Sequence, residues 1–388
     1  MTYLVRDYLS MIGDEARTGA YVRALRKMIT PESVVLDLGA GFGFFAVLAA
    51  KLGARRAFAI EPNDAISLGP ALARANGVAD RVTIFQGDSR RVELPERANL
   101  LVEDVRGILP LQSERIELLA DARARLLTSD ARIVAVRDHL WAAPVREPEP
   151  VRRDLATMGS DTFGVDLRGL RSDVVDDARR VKVAPELLLL PGALLGTLEL
   201  ATVIEPNFEG TARWIARAHT VADGFVLWFD AELAEGERFS SKPGPGQSVH
   251  GSLYLPLRAP LVVPEGAELS LRFCGVQANA DYVWTWECTV GDTRTSASER
   301  TVRQSTLGAL GLSPARLSAL SEAARPSLGL EGRRWHDALS LVDGQRSWRE
   351  IADELVQSGE LGFAGSAEAF DWLQRVLNVL VAGKVTQL

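Results

Sequence analysis

The residues best placed to do chemistry appear first between Val34 and Glu61, where the chain reads VVLDLGAGFGFFAVLAAKLGARRAFAIE. Asp37 precedes Gly39, Gly41 and Gly43, which stand at G-x-G-x-G spacing. Glycines so placed let the backbone take positive φ and leave room for a ligand against the main chain. Glu61 closes the next apolar run, and a carboxylate there can accept hydrogen bonds from both hydroxyls of a ribose. Three elements must hold these groups: a strand ending at Asp37, a helix with apolar spacing from Phe44 to Ala50, and a buried strand from Ala57 to Ile60. Dinucleotide-binding turns use G-x-G-x-x-G, whose third glycine packs the helix on the sheet. Here that glycine falls one residue early, and an aspartate stands before the turn.

This pattern resembles the S-adenosylmethionine (SAM) site of class I methyltransferases, which makes SAM the expected cofactor. Upstream, Met11, Asp14, Arg17 and Tyr21 form M-x-x-D-x-x-R-x-x-x-Y. By spacing alone this is an amphipathic helix with a solvated charged face. Placed before V-L-D-x-G-x-G-x-G, it resembles the protein arginine methyltransferases. The resemblance implies a helix that lids the cofactor and an arginine, Arg17, that grips its methionyl carboxylate. A guanidinium makes a planar two-pronged match to that group. Asp88, after the strand Val82 to Gln86, is implied as an adenine contact, although the family's glutamate two residues on is Arg90 here. The expected cofactor set is therefore Arg17, Asp37, Gly39, Gly41, Gly43, Glu61 and Asp88.

A further strand, Leu100 to Val102, runs into Glu103-Asp104-Val105-Arg106-Gly107 and on to Ser113-Glu114. The arginine enzymes carry a paired-glutamate loop here that clamps a guanidinium. With Gly107 as register mark, the first acid is Asp104 and the second position is Ser113. Glu114, one residue beyond, and Glu103 stand as alternatives. A guanidinium wants two carboxylates in fork geometry, whereas an amine needs one acceptor to aim its nitrogen. The family's T-H-W loop is also altered, to Gln247-Ser248-Val249-His250. The expected catalytic acids are Asp104, then Glu114, then Glu103.

The wider chain sets limits. Its 388 residues suggest two or three domains, and 47% hydrophobic with 24% charged residues is an ordinary globular composition. A net charge of −7 and a pI near 5.4 argue against nucleic acid or an anionic membrane as the main partner. Cys274 and Cys288 alone suggest a reducing compartment. No signal peptide or apolar run of membrane-spanning length is evident, so a cytoplasmic location is expected.

From His139 to about residue 300, period-two runs such as Gly224 to Asp230 and Glu268 to Phe273 indicate antiparallel strands. The resemblance makes these a β-barrel domain carrying a dimerisation arm near residues 150–170, around Phe163 to Leu167. Beyond Ser305 the pattern turns helical, over Leu307–Leu320, Trp335–Leu341 and Ala367–Leu380. The order L-V-D-G-x-x-S-x-x-E-I-A resembles winged-helix modules that bind leader peptides in ribosomal-peptide (RiPP) biosynthesis; its plain alternative is a helical packing appendage. The fold expected is α/β: a Rossmann-like methyltransferase domain (1–138), a β-barrel substrate domain (139–300) and a winged-helix-like module (301–388).

The whole resembles the methyltransferases of daptide-type RiPP pathways. That resemblance implies a homodimer that N-methylates an amine, a terminal one, of a precursor peptide. The alternatives are an arginine methyltransferase, acting on a protein or free arginine, and a non-catalytic SAM-fold scaffold that presents a peptide.

Overall fold

A computed structural model describes residues 4–112, 114–159, 163–278, 281–291, 300–310, 325, 327–380 and 386–387. The chain divides into two compact units, residues 1–311 with 385–388, and residues 312–384.

The first unit opens with two helices, α1 (Val5–Ile12) and α2 (Glu15–Met28), where the sequence pattern had suggested one. The break falls at Gly13–Asp14. Asp14 caps α2, its carboxylate accepting the Arg17 N–H at 3.1 Å, so a helix start replaces helix continuation. A parallel sheet follows: β1 (Val34–Leu38), β2 (Arg56–Glu61), β3 (Val82–Gln86), β4 (Ala98–Glu103) and β5 (Leu127–Val134), in the order β3-β2-β1-β4-β5. All five β1 residues are buried, as expected for a central strand covered on both faces. β1 lies between β2 and β4, so the strand order reverses there, and in open α/β sheets that switch opens a crevice at the carboxyl ends. Asp37, Glu61 and Glu103 all lie at or beside those ends. Helices α3 (Phe44–Lys51), α4 (Gly69–Ala75) and α5 (Arg115–Arg125) connect the strands. Residues Thr386–Gln387 add a short antiparallel strand on β3.

After β5 the chain enters antiparallel structure at once, with β6 (Arg137–Val145). The chain then forms a helix α6 (Glu149–Gly159), followed by β7 (Arg179–Val181), β8 (Ala193–Glu199), β9 (Phe208–Ile215), β10 (Thr220–Ala234), β11 (Glu237–Ser240), β12 (Ser252–Val263), β13 (Glu268–Ala278), β14 (Asp281–Gly291) and β15 (Arg300–Ser305). They pair as two sheets, β7-β12-β10-β6-β8 with β11 on β10, and β15-β14-β13-β9. The sequence suggested a barrel; among the described residues no ladder joins the two sheets. One apolar core runs from Leu36 and Phe58 in the parallel sheet to Phe229, Phe273 and Trp286 in the antiparallel ones. In the expected dimerisation arm, α6 packs Val151, Leu155 and Met158 against Trp228 and Tyr254, and Phe163 beyond it is fully exposed. Residues 160–162 of that arm lie outside the described residues.

In the second unit, helices Leu330–Leu341, Trp348–Gln357 and Ser366–Leu380 enclose a core including Ala338, Ile351, Leu355, Trp372 and Leu373. The D-G-x-x-S-x-x-E run acquires a local explanation. Asp343 accepts the N–H groups of Gln345 and Arg346, Gly344 takes φ +78°, and Ser347 and Glu350 form a capping box. Most of the expected helix Leu307–Leu320 lies outside the described residues.

Candidate active site

The glycine turn is built as its spacing implies. Gly39, Gly41 and Gly43 have φ of +69°, +58° and +85°, which only glycine adopts without strain. A Cβ at Gly41 would also lie 2.7 Å from the Tyr8 ring, because α1 folds over the turn. Gly39 and Ala40 donate N–H bonds to the Ile60 carbonyl, which fixes the turn against β2.

The two acids of this region do different jobs. Asp37 is 2% exposed and accepts the Ala46 N–H at 2.9 Å, so it ties β1 to the first turn of α3. Burial pushes its carboxyl up to about 7 against the pull of that hydrogen bond. Glu61 accepts the N–H of Gly41 and of Asn63, each at 2.9 Å, and burial raises its pKa despite them. Its carboxylate therefore lies against the turn itself, at the crevice.

Arg17 reaches from α2 to the end of β4. Its Nε donates to Asp104 Oδ2, and its Nη1 donates to the Met11 carbonyl at 3.0 Å. Both side chains of the Arg17–Asp104 pair are 6% exposed. Asp104 Oδ1 also accepts from Arg106 Nη1 at 2.7 Å and from the Tyr21 hydroxyl at 3.3 Å. Burial alone would raise this carboxyl, but Arg17, His250 and Arg106 outweigh it and hold it well below the usual carboxylate range.

Behind Asp104 lies a second layer that the sequence reading did not anticipate. Arg106 reaches Asp138, at the start of β6, through Nη2 at 2.9 Å and Nε at 3.1 Å. Arg115, on α5, donates to Asp138 at 2.8 Å and grips Glu103 with Nε and Nη2. These side chains are 0–1% exposed. Asp138 and Arg115 come from regions with no local motif. Arg106 stood in plain view inside the acidic loop, and an arginine between apolar residues there was the available signal. Gly107, the register mark, lies under the Gln112 side chain, whose Oε1 a Cβ there would meet at 1.2 Å.

The three candidate acids are thus separated. Asp104 faces Arg17 and lies 3.8 Å from His250 Nε2. Glu103 is turned away onto Arg115. Glu114 caps α5 with φ +55° and pairs at 3.3 Å with Arg90, which also holds Asp88 at 2.9 Å. Asp88, pulled to lower pKa by Arg90, and Glu114 thereby share one half-exposed cation. Ser113 lies outside the described residues. The altered T-H-W segment does arrive at the site: Val249 donates its N–H to Asp14 at 2.6 Å, and His250 stacks on Phe239. Burial pushes His250 down to about 4, so it is neutral at pH 7. Further along the same loop, Ile108, Leu109 and Gln112 line an open cavity of about 750 Å³ together with Tyr282 and Trp284.

The chain is similar to several known proteins. The model of the Ribosomal protein L11 methyltransferase (PrmA) family matches residues 12–120. The chain is 28% identical over 280 residues to the probable histone-arginine methyltransferase 1.4 of Arabidopsis thaliana, covering 68% of this chain and 53% of that protein. It is 24% identical over 234 residues to protein arginine N-methyltransferase 1 of Schizosaccharomyces pombe, covering 58% of this chain and 67% of that protein. The chain spans about half the length of the first curated relatives that it matches. Among solved structures, Arabidopsis thaliana protein arginine methyltransferase 10 superposes with a TM-score of 0.69 at 20% identity, covering 78% of this chain and 97% of that one. The Trypanosoma brucei PRMT1 enzyme-prozyme heterotetrameric complex with AdoHcy gives 0.69 at 20% identity, covering 77% and 98%. The fold is that of SAM-dependent methyltransferases. Within that class the chain is arginine-methyltransferase-like in sequence and in structure, and SAM is the cofactor of that type.

Proposed function

We propose that this protein is a SAM-dependent N-methyltransferase acting on an amine of a ribosomally made peptide, as in daptide-type pathways. The observation that carries the amine reading is the separation of the acids. Asp104, paired with Arg17 and Arg106, alone of the three lies beside His250, while Glu103 is on Arg115 and Glu114 on Arg90. One carboxylate orients an amine nitrogen; a guanidinium calls for two in a fork.

The residues fit the cofactor. The turn offers backbone to a nucleoside, Glu61 offers a carboxylate to ribose hydroxyls, and Arg17 offers a guanidinium to an amino-acid carboxylate. SAM, when bound, supplies a methyl group on a sulfonium that leaves as a thioether. The chain's own part is to position and to exclude water. Asp104, held strongly anionic, is a poor proton acceptor, so the incoming ammonium gives its proton to solvent and Asp104 aligns the resulting N–H groups. Asp37 shapes the turn from behind.

The open cavity beside Ile108 and Leu109 suits an acceptor as large as a peptide. The exposed Phe163, with Val165 and Leu170, supports an arm that meets a second copy. The tail unit, with a core of its own, is the proposed leader-docking module. The sequence relatives favour the second reading, an arginine methyltransferase. Mass spectrometry of peptides incubated with protein and SAM separates the two: methylation confined to a terminal amine supports the first, and methylation confined to arginine side chains overturns it.

A further inference from the structure

The site already contains a guanidinium. Arg106 is fully buried, with Asp104 on one side, Asp138 on the other and Glu103 at 3.8 Å. The Tyr21 hydroxyl accepts its Nη1 proton at 2.6 Å. The rings of Phe229 and Phe239 lie 6.0 and 5.7 Å from its central carbon. Carboxylates at hydrogen-bond distance with aromatic rings nearby are the surroundings that a protein provides to bind a guanidinium ligand. Here the ligand is the chain's own side chain.

The charges of this network cancel. Among the described residues, Arg17, Arg106 and Arg115 are linked to Glu103, Asp104 and Asp138, three cations to three anions. Around Arg106 the carboxylates are thus already matched, so a second guanidinium placed beside it would be uncompensated, and an unpaired buried charge is costly. An arginine acceptor keeps its proton at neutral pH, with a pKa above about 12, whereas a terminal amine, near 8, can enter neutral.

We infer that Arg106 is a specificity residue: it fills the guanidinium seat at the end of β4, completes the charge balance, and so restricts the site to acceptors able to enter as free amines. This rests on the methyltransferase reading and deepens it. Arginine at this position excludes arginine as substrate.

The test is titration calorimetry of full-length protein saturated with S-adenosylhomocysteine. Two probes are compared, Nα-acetyl-arginine methylamide and an alanyl amide with a free terminal amine. Wild type should bind the amine probe and show negligible heat with the arginine probe. Arg106→Met, which opens the seat and leaves one carboxylate uncompensated, should bind the arginine probe roughly tenfold or more tighter than wild type. Arg106→Lys, which retains the charge, should show no such gain. A folded Arg106→Met protein with no gain overturns the inference. Should that variant fail to fold, Arg106→Gln and wild type still decide: arginine binding by wild type as tight as amine binding overturns it as well. Titration needs no turnover, so absence of amine methylation by wild type would sink the amine reading while the arginine-probe gain still judged Arg106.

Discussion

The two ends of the proposed active site are made in different ways. The cofactor end is built from neighbours in sequence: a glycine turn, the acid before it, and the acid that ends the next strand. The acceptor end is built from side chains far apart in the chain, with Arg17 reaching 87 residues to Asp104 and Arg106 reaching 32 to Asp138. At one end backbone conformation holds the geometry; at the other, mutual attraction of buried charges does. Disturbing the first should weaken binding locally, and disturbing the second should affect catalysis and folding together.

The largest effects should come from the charged end. Asp104→Asn is expected to lower turnover by roughly 10²-fold, as a lost positioning contact does, while calorimetry still detects cofactor binding. Full activity in that variant would remove Asp104 from the mechanism. Glu103→Gln strips Arg115 of its two-pronged partner and should cost about 3–5 kcal/mol of stability, as broken buried pairs do, measured by urea unfolding. Unchanged stability would show that the network is not cooperative.

At the turn, Glu61→Ala should weaken SAM binding by about 2–3 kcal/mol, the worth of two hydrogen bonds to a charged acceptor, and, by stripping the Gly41 and Asn63 N–H groups of their partner, should cost about 1–3 kcal/mol of stability while the protein still folds. A loss of folding instead would mean that the turn depends on Glu61 as the far network depends on its ions.

His250 gives a pH signature. Its folded pKa of about 4 lies below the ordinary 6.5, so its contribution is fully present above pH 6.5 and is lost as pH falls towards 4. The span corresponds to about 3 kcal/mol. Asp37, raised to about 7 from 3.8, acts in the opposite sense across the same window, since its stabilisation is lost as pH rises through 7. The informative quantity is therefore the difference in melting temperature between wild type and His250→Gln, which should shrink steadily from pH 7 to pH 4. A constant difference would contradict the buried neutral imidazole.

The smallest effect should be that of Glu114→Gln. Its partner Arg90 is half-exposed, and such pairs contribute about 0–1 kcal/mol, so turnover and stability should stay near wild type. A large loss of turnover would restore Glu114 as a catalytic acid.

The same division explains what the sequence made legible. G-x-G-x-G is readable because positive φ is a property of single residues, and Glu61 because a strand of known length ends there. Asp138 and Arg115 were not readable: the chain holds 44 basic and 51 acidic residues, and no local pattern selects which will meet. Asp104 was placed by the resemblance, with Gly107 as register mark, and the structure packs the Gln112 side chain over that glycine. The tail motif was visible, but its Ser347–Glu350 pair proves to be a helix cap, a role that spacing alone predicts.

The two-residue strand Thr386–Gln387 changes what a deletion means. It pairs with Phe85 and Gln86 at the end of the outer edge of β3, and an uncovered strand edge is a template for pairing with other chains. The helical unit is therefore an insertion, leaving the first unit after residue 311 and rejoining it at 385. Cutting the chain at 311 removes a peptide-docking candidate and a sheet edge guard at once, and any aggregation would be read as evidence about docking. Replacing residues 312–384 by a flexible linker that lets 386–387 return to β3 separates the two, because it deletes the module and keeps the pairing with Phe85 and Gln86.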